Sequence, residues 1–215
     1  MTTSVAELMS KLPKVAGTAD DPRSVRQQQA REVLFRLPRF IRTVPAPELF
    51  ERVKGAGLRE SARAWHWEAG TRLWLGTTGV GKSTAAAWLF RRLVYMGVTG
   101  GGAAWEGAAR MEWFKATDLA SARREHPLGH GEAPEVRDAA TASLLFLDDL
   151  GWEKDTSTVC DVLALRYEAQ LPTIATSGKT RDELSAYYGA AVVRKLLQPL
   201  GPRTAAIVEC FEVAS

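Results

Sequence analysis

The chain has 215 residues, 46% hydrophobic and 25% charged, with a formal net charge of +3. That length suits one domain plus an extension, with enough apolar residues for a real core, and the composition excludes a disordered or fibrous protein. No apolar run approaches a membrane span and the N-terminus lacks the apolar core of a signal peptide, so the expectation is a cytoplasmic protein with no membrane partner.

Residues 1–20 are small and polar and read as a loose or short-helical lead. Asp20-Asp21-Pro22 is a helix start, an acidic cap followed by proline in the first turn, and the helix should run through Val25, Gln29, Val33, Leu34 and Leu37 and end before Pro38. Pro38, Pro45 and Pro47 then predict an extended passage, followed by a helix over about 48–54 closed by Gly55 and Gly57. Residues 1–65 hold 12 Lys/Arg against 7 Asp/Glu, leaving 16 against 18 for the remainder. A basic arm on a slightly acidic body fits an acidic partner such as nucleic acid, or simply a solvated surface. Trp65-His66-Trp67 next offers two aromatics that stack on a base or cover the core.

Gly76-Thr77-Thr78-Gly79-Val80-Gly81-Lys82-Ser83-Thr84 fits G-x-x-x-x-G-K-[ST] without a mismatch. The apolar run Leu73-Trp74-Leu75 before it reads as a buried strand, and Ala85 to Met96 after it as a helix stopped by Gly97. Strand, glycine-rich loop and helix are the context in which this motif binds polyphosphate. The glycines let the backbone turn its N–H groups inward, and the helix adds unpaired donors and the positive end of its dipole. Lys82 is then expected on the β- and γ-phosphates, and the Ser83 hydroxyl on Mg²⁺.

Thr99-Gly100-Gly101-Gly102-Ala103 reads as a flexible loop, Met111 to Lys115 as a strand, and Leu119 to Glu125 as a helix capped by Thr117 or Asp118. His126 and His130 fall among Pro127, Gly129 and Gly131 and read as loop residues; without clustered cysteines they argue against zinc. Leu144-Leu145-Phe146-Leu147-Asp148-Asp149-Leu150-Gly151 is an apolar run without alternation, as a strand covered on both faces requires. Two carboxylates at its C-terminal end stand where open α/β sheets bind ligands, about 65 residues after the phosphate loop. Asp148 is expected in the Mg²⁺ shell opposite Ser83, and Asp149 on the attacking water.

A helix over about 159–170 follows, then the strand Pro172 to Ser177 with hydroxyls at its end that either touch the γ-phosphate or its water, or cap the helix near Arg181. A helix through Val192 to Leu197 and a closing strand Ala205 to Phe211 complete the chain. Cys160 and Cys210, far apart and outside any C-x-x-C spacing, are expected as free thiols. Five strands alternating with helices predict a three-layer α/β P-loop NTPase domain over 66–215 with a central five-stranded parallel sheet, preceded by a basic, mostly helical extension and linker over 1–65.

GTTGVGKST, LLFLDDLG, PTIATSGKTRDEL and YYGAAVVRKLL, in this order and spacing, resemble the AAA+ ATPases of the DnaC type, the bacterial helicase loaders, and the IstB-like transposition helpers. The resemblance spans about residues 35–212. It implies ATP and Mg²⁺ as cofactors, DNA (single-stranded) as a partner together with a replicative helicase or a transposase, and a nucleotide-dependent homo-oligomer. It places Arg36 to Phe40 near the adenine, Lys82 and Ser83 on phosphate and metal, Asp148 and Asp149 as the metal-side and catalytic acids, and Arg194 as the arginine reaching a neighbouring subunit's ATP; Arg194 also reads as a solvent-facing helix residue. The family's T-S-N is Thr176-Ser177-Gly178 here, so the sensing asparagine is missing and Thr176 or Ser177 is expected to substitute, with Ser177 on the nucleotide. No arginine follows Arg203 to contact the γ-phosphate, and the second acid is aspartate where most AAA+ proteins have glutamate. The expected function is therefore a DnaC-like helicase loader with ATPase activity; the alternatives are an IstB-like helper or a nucleotide-dependent binding switch with little hydrolysis. The chain lacks the arginine cluster of a kinase lid and the L-S-G-G-Q-like signature of a transporter ATPase.

Overall fold

Asp21 caps the first helix, α1 (Pro22–Phe35), by accepting the Arg23 N–H on its carboxylate at 3.1 Å, with Pro22 in the first turn. The structure, a computed structural model, describes residues 21–197 and, as backbone, 207–210. The lead expected over 1–20 and the ends of the closing strand expected over 205–211 lie outside the described residues.

The prolines expected to keep the chain extended instead start helices. Pro38 and Pro45, with ψ of 139° and 142°, are the N-cap residues of α2 (Arg39–Arg42) and α3 (Ala46–Glu51). Extended geometry at the cap is what a proline supplies without strain, and its missing N–H is no loss at that end. A further helix with no counterpart in the sequence reading, α4 (Ala56–Ala64), leads through a 3₁₀ turn to β1 (Arg72–Gly76). Trp65 is 1% exposed, donates its indole N–H to the Gly70 carbonyl at 2.9 Å and packs edge-on against Trp67, so this pair covers the core.

The helix after the phosphate loop, α5 (Lys82–Gly100), does not stop at Gly97. A Cβ at Gly97 would lie 2.7 Å from the Ala108 Cβ, so this glycine is where α6 (Gly102–Ala109) crosses α5. The glycines expected as a flexible loop close one helix and open the next. There follow β2 (Glu112–Lys115), α7 (Ala116–Glu125), α8 (Pro134–Thr141), β3 (Leu145–Leu150), α9 (Ser157–Glu168), β4 (Thr173–Ser177), α10 (Arg181–Tyr188), α11 (Ala190–Leu197) and β5 (Ile207–Cys210). Lys115, rather than Thr117 or Asp118, is the N-cap of α7. Thr180, in a capping box with Glu183, starts α10, which leaves the Thr176 and Ser177 hydroxyls for other work.

The sheet order is β2-β3-β4-β1-β5 and every pairing is parallel. Alternation along each strand divides the core between the two faces. Trp74, Trp113, Phe146 and Ile174 point to one side, under α1 to α6; Leu73, Leu75, Leu145, Leu147 and Ala175 point to the other, under α7 to α11. Trp113 and Phe146 stack at 5.6 Å, and Phe90 of α5 meets Phe146 edge-on at 5.2 Å. The described part of the basic segment shares this first core, with Val33, Leu37, Ile41, Leu49, Val53 and Leu58 buried against α5. Among the described residues no helix is long and apolar enough to cross a membrane.

Candidate nucleotide site

The turn between β1 and α5 is shaped by its glycines. Gly81, the N-cap of α5, has φ of 96°, and a Cβ there would lie 2.9 Å from the Val53 Cα. Only glycine meets both demands. No side chain caps this helix, so its first N–H groups face a cleft of about 720 Å³. Thr78, Gly79, Gly81, Lys82, Ser83 and Thr84 line it. Gly76 and Val80 are buried beneath the turn, where the Val80 carbonyl accepts the Lys54 N–H at 3.1 Å, and Thr77 is exposed. The Lys82 ammonium donates to the carbonyls of Gly76 at 2.7 Å and Thr77 at 3.0 Å, which holds it folded into the loop.

Opposite stands the end of β3. Successive strand residues face opposite sides of a sheet, so Asp148 and Asp149 would normally part. The β3–β4 register shifts between Leu147 and Leu150, and Asp149 takes φ of 59°, a left-handed conformation aspartate tolerates better than most residues. Both acids therefore line the same cleft. Asp148 is 2% exposed and accepts hydrogen bonds from Ser83 Oγ at 2.7 Å and Thr176 Oγ1 at 2.5 Å. Burial raises its pKa above the ordinary value, helped by the Asp149 charge and opposed by the two hydroxyls and Lys115. Thr176 Oγ1 also accepts the Asp149 N–H at 3.1 Å, so one β4 hydroxyl ties the two acids together. The Asp149 carboxylate is half-exposed and pairs with the Lys115 ammonium at 3.4 Å.

A buried carboxylate beside a serine hydroxyl is a hard-oxygen donor pair. Among the described residues no three His, Cys, Asp or Glu side chains gather into a metal cage. One carboxylate, one hydroxyl and an open cleft suit a cation that shares its shell with phosphate, which is how Mg²⁺ is held. The donor set therefore fits magnesium, and the glycine turn with its free helix donors fits polyphosphate.

No family model and no curated protein matches the chain. Solved structures do. A candidate primosome component from Streptococcus pyogenes serotype M3 superposes with a TM-score of 0.54 at 17% identity, covering 87% of this chain and 98% of that one. The DnaC helicase loader gives 0.50 at 20% identity, covering 71% and 86%. The replication initiator DnaA bound to AMPPCP and single-stranded DNA gives 0.52 at 18% identity, covering 75% and 48%. The chain spans less than half the length of the DnaA chains, 44% and 48% in two structures. The chain shares the fold of these solved structures, the DnaC helicase loader among them.

Within this fold, the other residues named from sequence fall outside the cleft lining. Ser177 is fully buried, donates to the Leu150 carbonyl at 2.7 Å and accepts the Lys179 N–H at 3.0 Å. Its hydroxyl is used in joining β4 to β3, and Ser177 does not line the cleft. Thr176 is likewise engaged with the acids. Arg194 is exposed on α11, away from its own cleft.

The cleft also gathers residues that spacing could not bring together: Phe40, Arg52, Lys115, Thr117, Trp152 and Gly178. Phe40 falls in the segment that the resemblance placed near the adenine. Lys115 had no signal beyond its position at a strand end, since only the pairing of β2 with β3 carries it to Asp149. Trp152 is held by the loop around Glu153, whose buried carboxylate accepts the N–H groups of Gly151 and Trp152, each at 3.1 Å, and the Tyr188 hydroxyl. Burial, then the Glu153 carboxylate, pushes the Tyr188 pKa up, so the phenol stays a donor.

Proposed function

We propose that this chain is an ATP-dependent, Mg²⁺-requiring AAA+ protein that acts on DNA in replication, as a helicase loader of the DnaC type. The observation that carries the reading is the Ser83–Asp148 contact of 2.7 Å, which closes the phosphate turn against the acidic end of β3 with Lys82 and Asp149 in the same cleft. The turn and the helix donors would bind the triphosphate, and Lys82 would leave its two carbonyls for the β- and γ-phosphates. Ser83 and Asp148 would hold Mg²⁺, which when bound neutralises phosphate charge. Asp149, the more exposed acid, would orient the water and receive its proton. The DnaC and DnaA likenesses support the replication context, and DnaA with AMPPCP and single-stranded DNA supports these ligands.

A second reading is a binding switch that turns over slowly. It is favoured by Gly178 in place of a sensing asparagine, by hydroxyls at 176 and 177 already spent within the fold, and by the Lys115 charge on Asp149. ATP binding and hydrolysis, each with and without single-stranded DNA, separate the two. DNA-stimulated turnover supports the loader; tight binding without turnover supports the switch. Lys82→Ala is expected to abolish ATP binding, and Asp149→Asn to retain ATP while losing turnover. Unchanged affinity in the first variant would remove the site assignment.

A further inference from the structure

The corner between α1 and α2 sorts its side chains by face. Val33, Leu37 and Ile41 enter the core, while Arg31, Phe35 and Arg39 are exposed and Arg42 is half-buried. The Phe35 ring is 66% exposed. The Arg42 guanidinium lies 4.2 Å from its centroid, and Arg42 Nη1 donates to the Phe35 carbonyl at 3.1 Å. Arg31 stands one helical turn before Phe35, and Arg39 three residues before Arg42, so two further exposed arginines flank the pair along the chain. Among the described residues none of the three is ion-paired, and Glu32 is the single carboxylate between Arg31 and Arg42. Arg36 is otherwise engaged, on the Ala109 and Met111 carbonyls and Glu112.

We infer that this corner binds single-stranded nucleic acid, with one unstacked base on Phe35 and the adjoining phosphates on Arg31, Arg39 and Arg42. A free aromatic face takes any base, and neighbouring guanidinium groups take the charge that accompanies it. A duplex keeps its bases stacked inside and offers the ring nothing but phosphate, which is why the occupant is a single strand. The inference deepens the DNA-acting reading above and rests on it for the biological substrate. It also gives that reading a physical coupling. The same short helix that carries Arg39 and Arg42 carries Phe40 into the nucleotide cleft, and Arg91 of α5 anchors it through the carbonyls of Ile41 at 3.0 Å, Arg42, and Val44 at 2.6 Å.

The test is fluorescence anisotropy of the full chain with a labelled oligothymidylate and, separately, a labelled duplex, with ATP binding measured in parallel. The wild type is expected to prefer the single strand. Phe35→Ala should weaken it about tenfold and Phe35→Trp should retain it. Arg39→Gln with Arg42→Gln should flatten the salt dependence by roughly 0.7 for each phosphate left without its cation. ATP affinity should hold in both Phe35 variants. Wild-type binding of neither nucleic acid, or variants that bind the strand as the wild type does, would overturn the surface, even with ATP binding intact. A Phe35→Ala variant that changed only oligomeric state would overturn it too, in favour of a protein contact. Failure of the ATPase reading shows elsewhere, as absence of Lys82-dependent ATP binding.

Discussion

Asp148 carries a formal charge in a place with almost no water, and its two hydroxyl donors do not fully replace hydration. Its folded pKa therefore lies above the ordinary 3.8. The sign follows from linkage: the folded ligand-free chain holds this proton more tightly than the unfolded chain, so the proton's contribution is fully present below about pH 3.8 and lost as pH rises through the raised pKa. At neutral pH the bare carboxylate costs stability unless a cation joins it. Asp148→Asn keeps an oxygen to accept both hydroxyls and removes the charge. The expected result is a melting temperature at pH 7 that holds or rises, together with loss of any Mg²⁺-dependent gain in ATP affinity. Scanning fluorimetry with and without Mg²⁺ and nucleotide checks both; a lower melting temperature with the Mg²⁺ effect retained would show that Asp148 is purely a structural acceptor. Lys82, Ser83 and Asp148 were legible as a set because the glycine loop and a two-sided apolar strand each announce themselves locally. Lys115 was not, because its role depends on which strand lies beside β3.

At the scale of elements, one arginine joins three of them. Arg166 on α9 is 1% exposed and donates to the Ala139 and Ala142 carbonyls at the end of α8, both at 2.8 Å, to Pro172 at 2.5 Å, and to Thr173 Oγ1 of β4 at 3.0 Å. Every partner is neutral, so the guanidinium acts as a fork of donors for the end of α8 and the start of β4. Arg166→Ala should cost about 3 kcal/mol, because it leaves several acceptors buried and unpaired. Arg166→Lys should recover less than half of that, since an ammonium cannot span the same acceptors. Urea unfolding midpoints measure both; a loss below about 1 kcal/mol in the alanine variant would show that water replaces the fork. Elements were read well where a period or a cap was strong, as in α1, β3 and β4. They were misread where glycine and proline carry tertiary meaning: Gly97 is a crossing point, and Pro38 and Pro45 are caps. In each case the residue's geometry was compatible with two local outcomes, and packing chose.

At the scale of the whole molecule, the cleft holds the phosphate loop, both acids and two further lysine and arginine side chains, Lys115 and Arg52, but exposed Arg194 does not line it. If Arg194 completes a neighbour's site, Arg194→Ala and Asp149→Asn should each lose roughly 10³-fold or more in turnover. Mixing the two should restore activity, since some junctions then pair an intact arginine with an intact aspartate. Turnover that stays absent in the mixture, with both variants binding ATP, would assign Arg194 to solvent. Motif and order along the chain determined the phosphate turn, the acidic strand and the parallel α/β class, because each rests on contacts among residues close in sequence or on a two-sided apolar run. The tertiary structure alone decided that Asp148 and Asp149 share one cleft, that Thr176 joins them while Ser177 turns away, and that an exposed Phe35 ring lies against Arg42. Those outcomes depend on a register shift between two strands and on how short helices seat against α5, and neither leaves a period in the sequence.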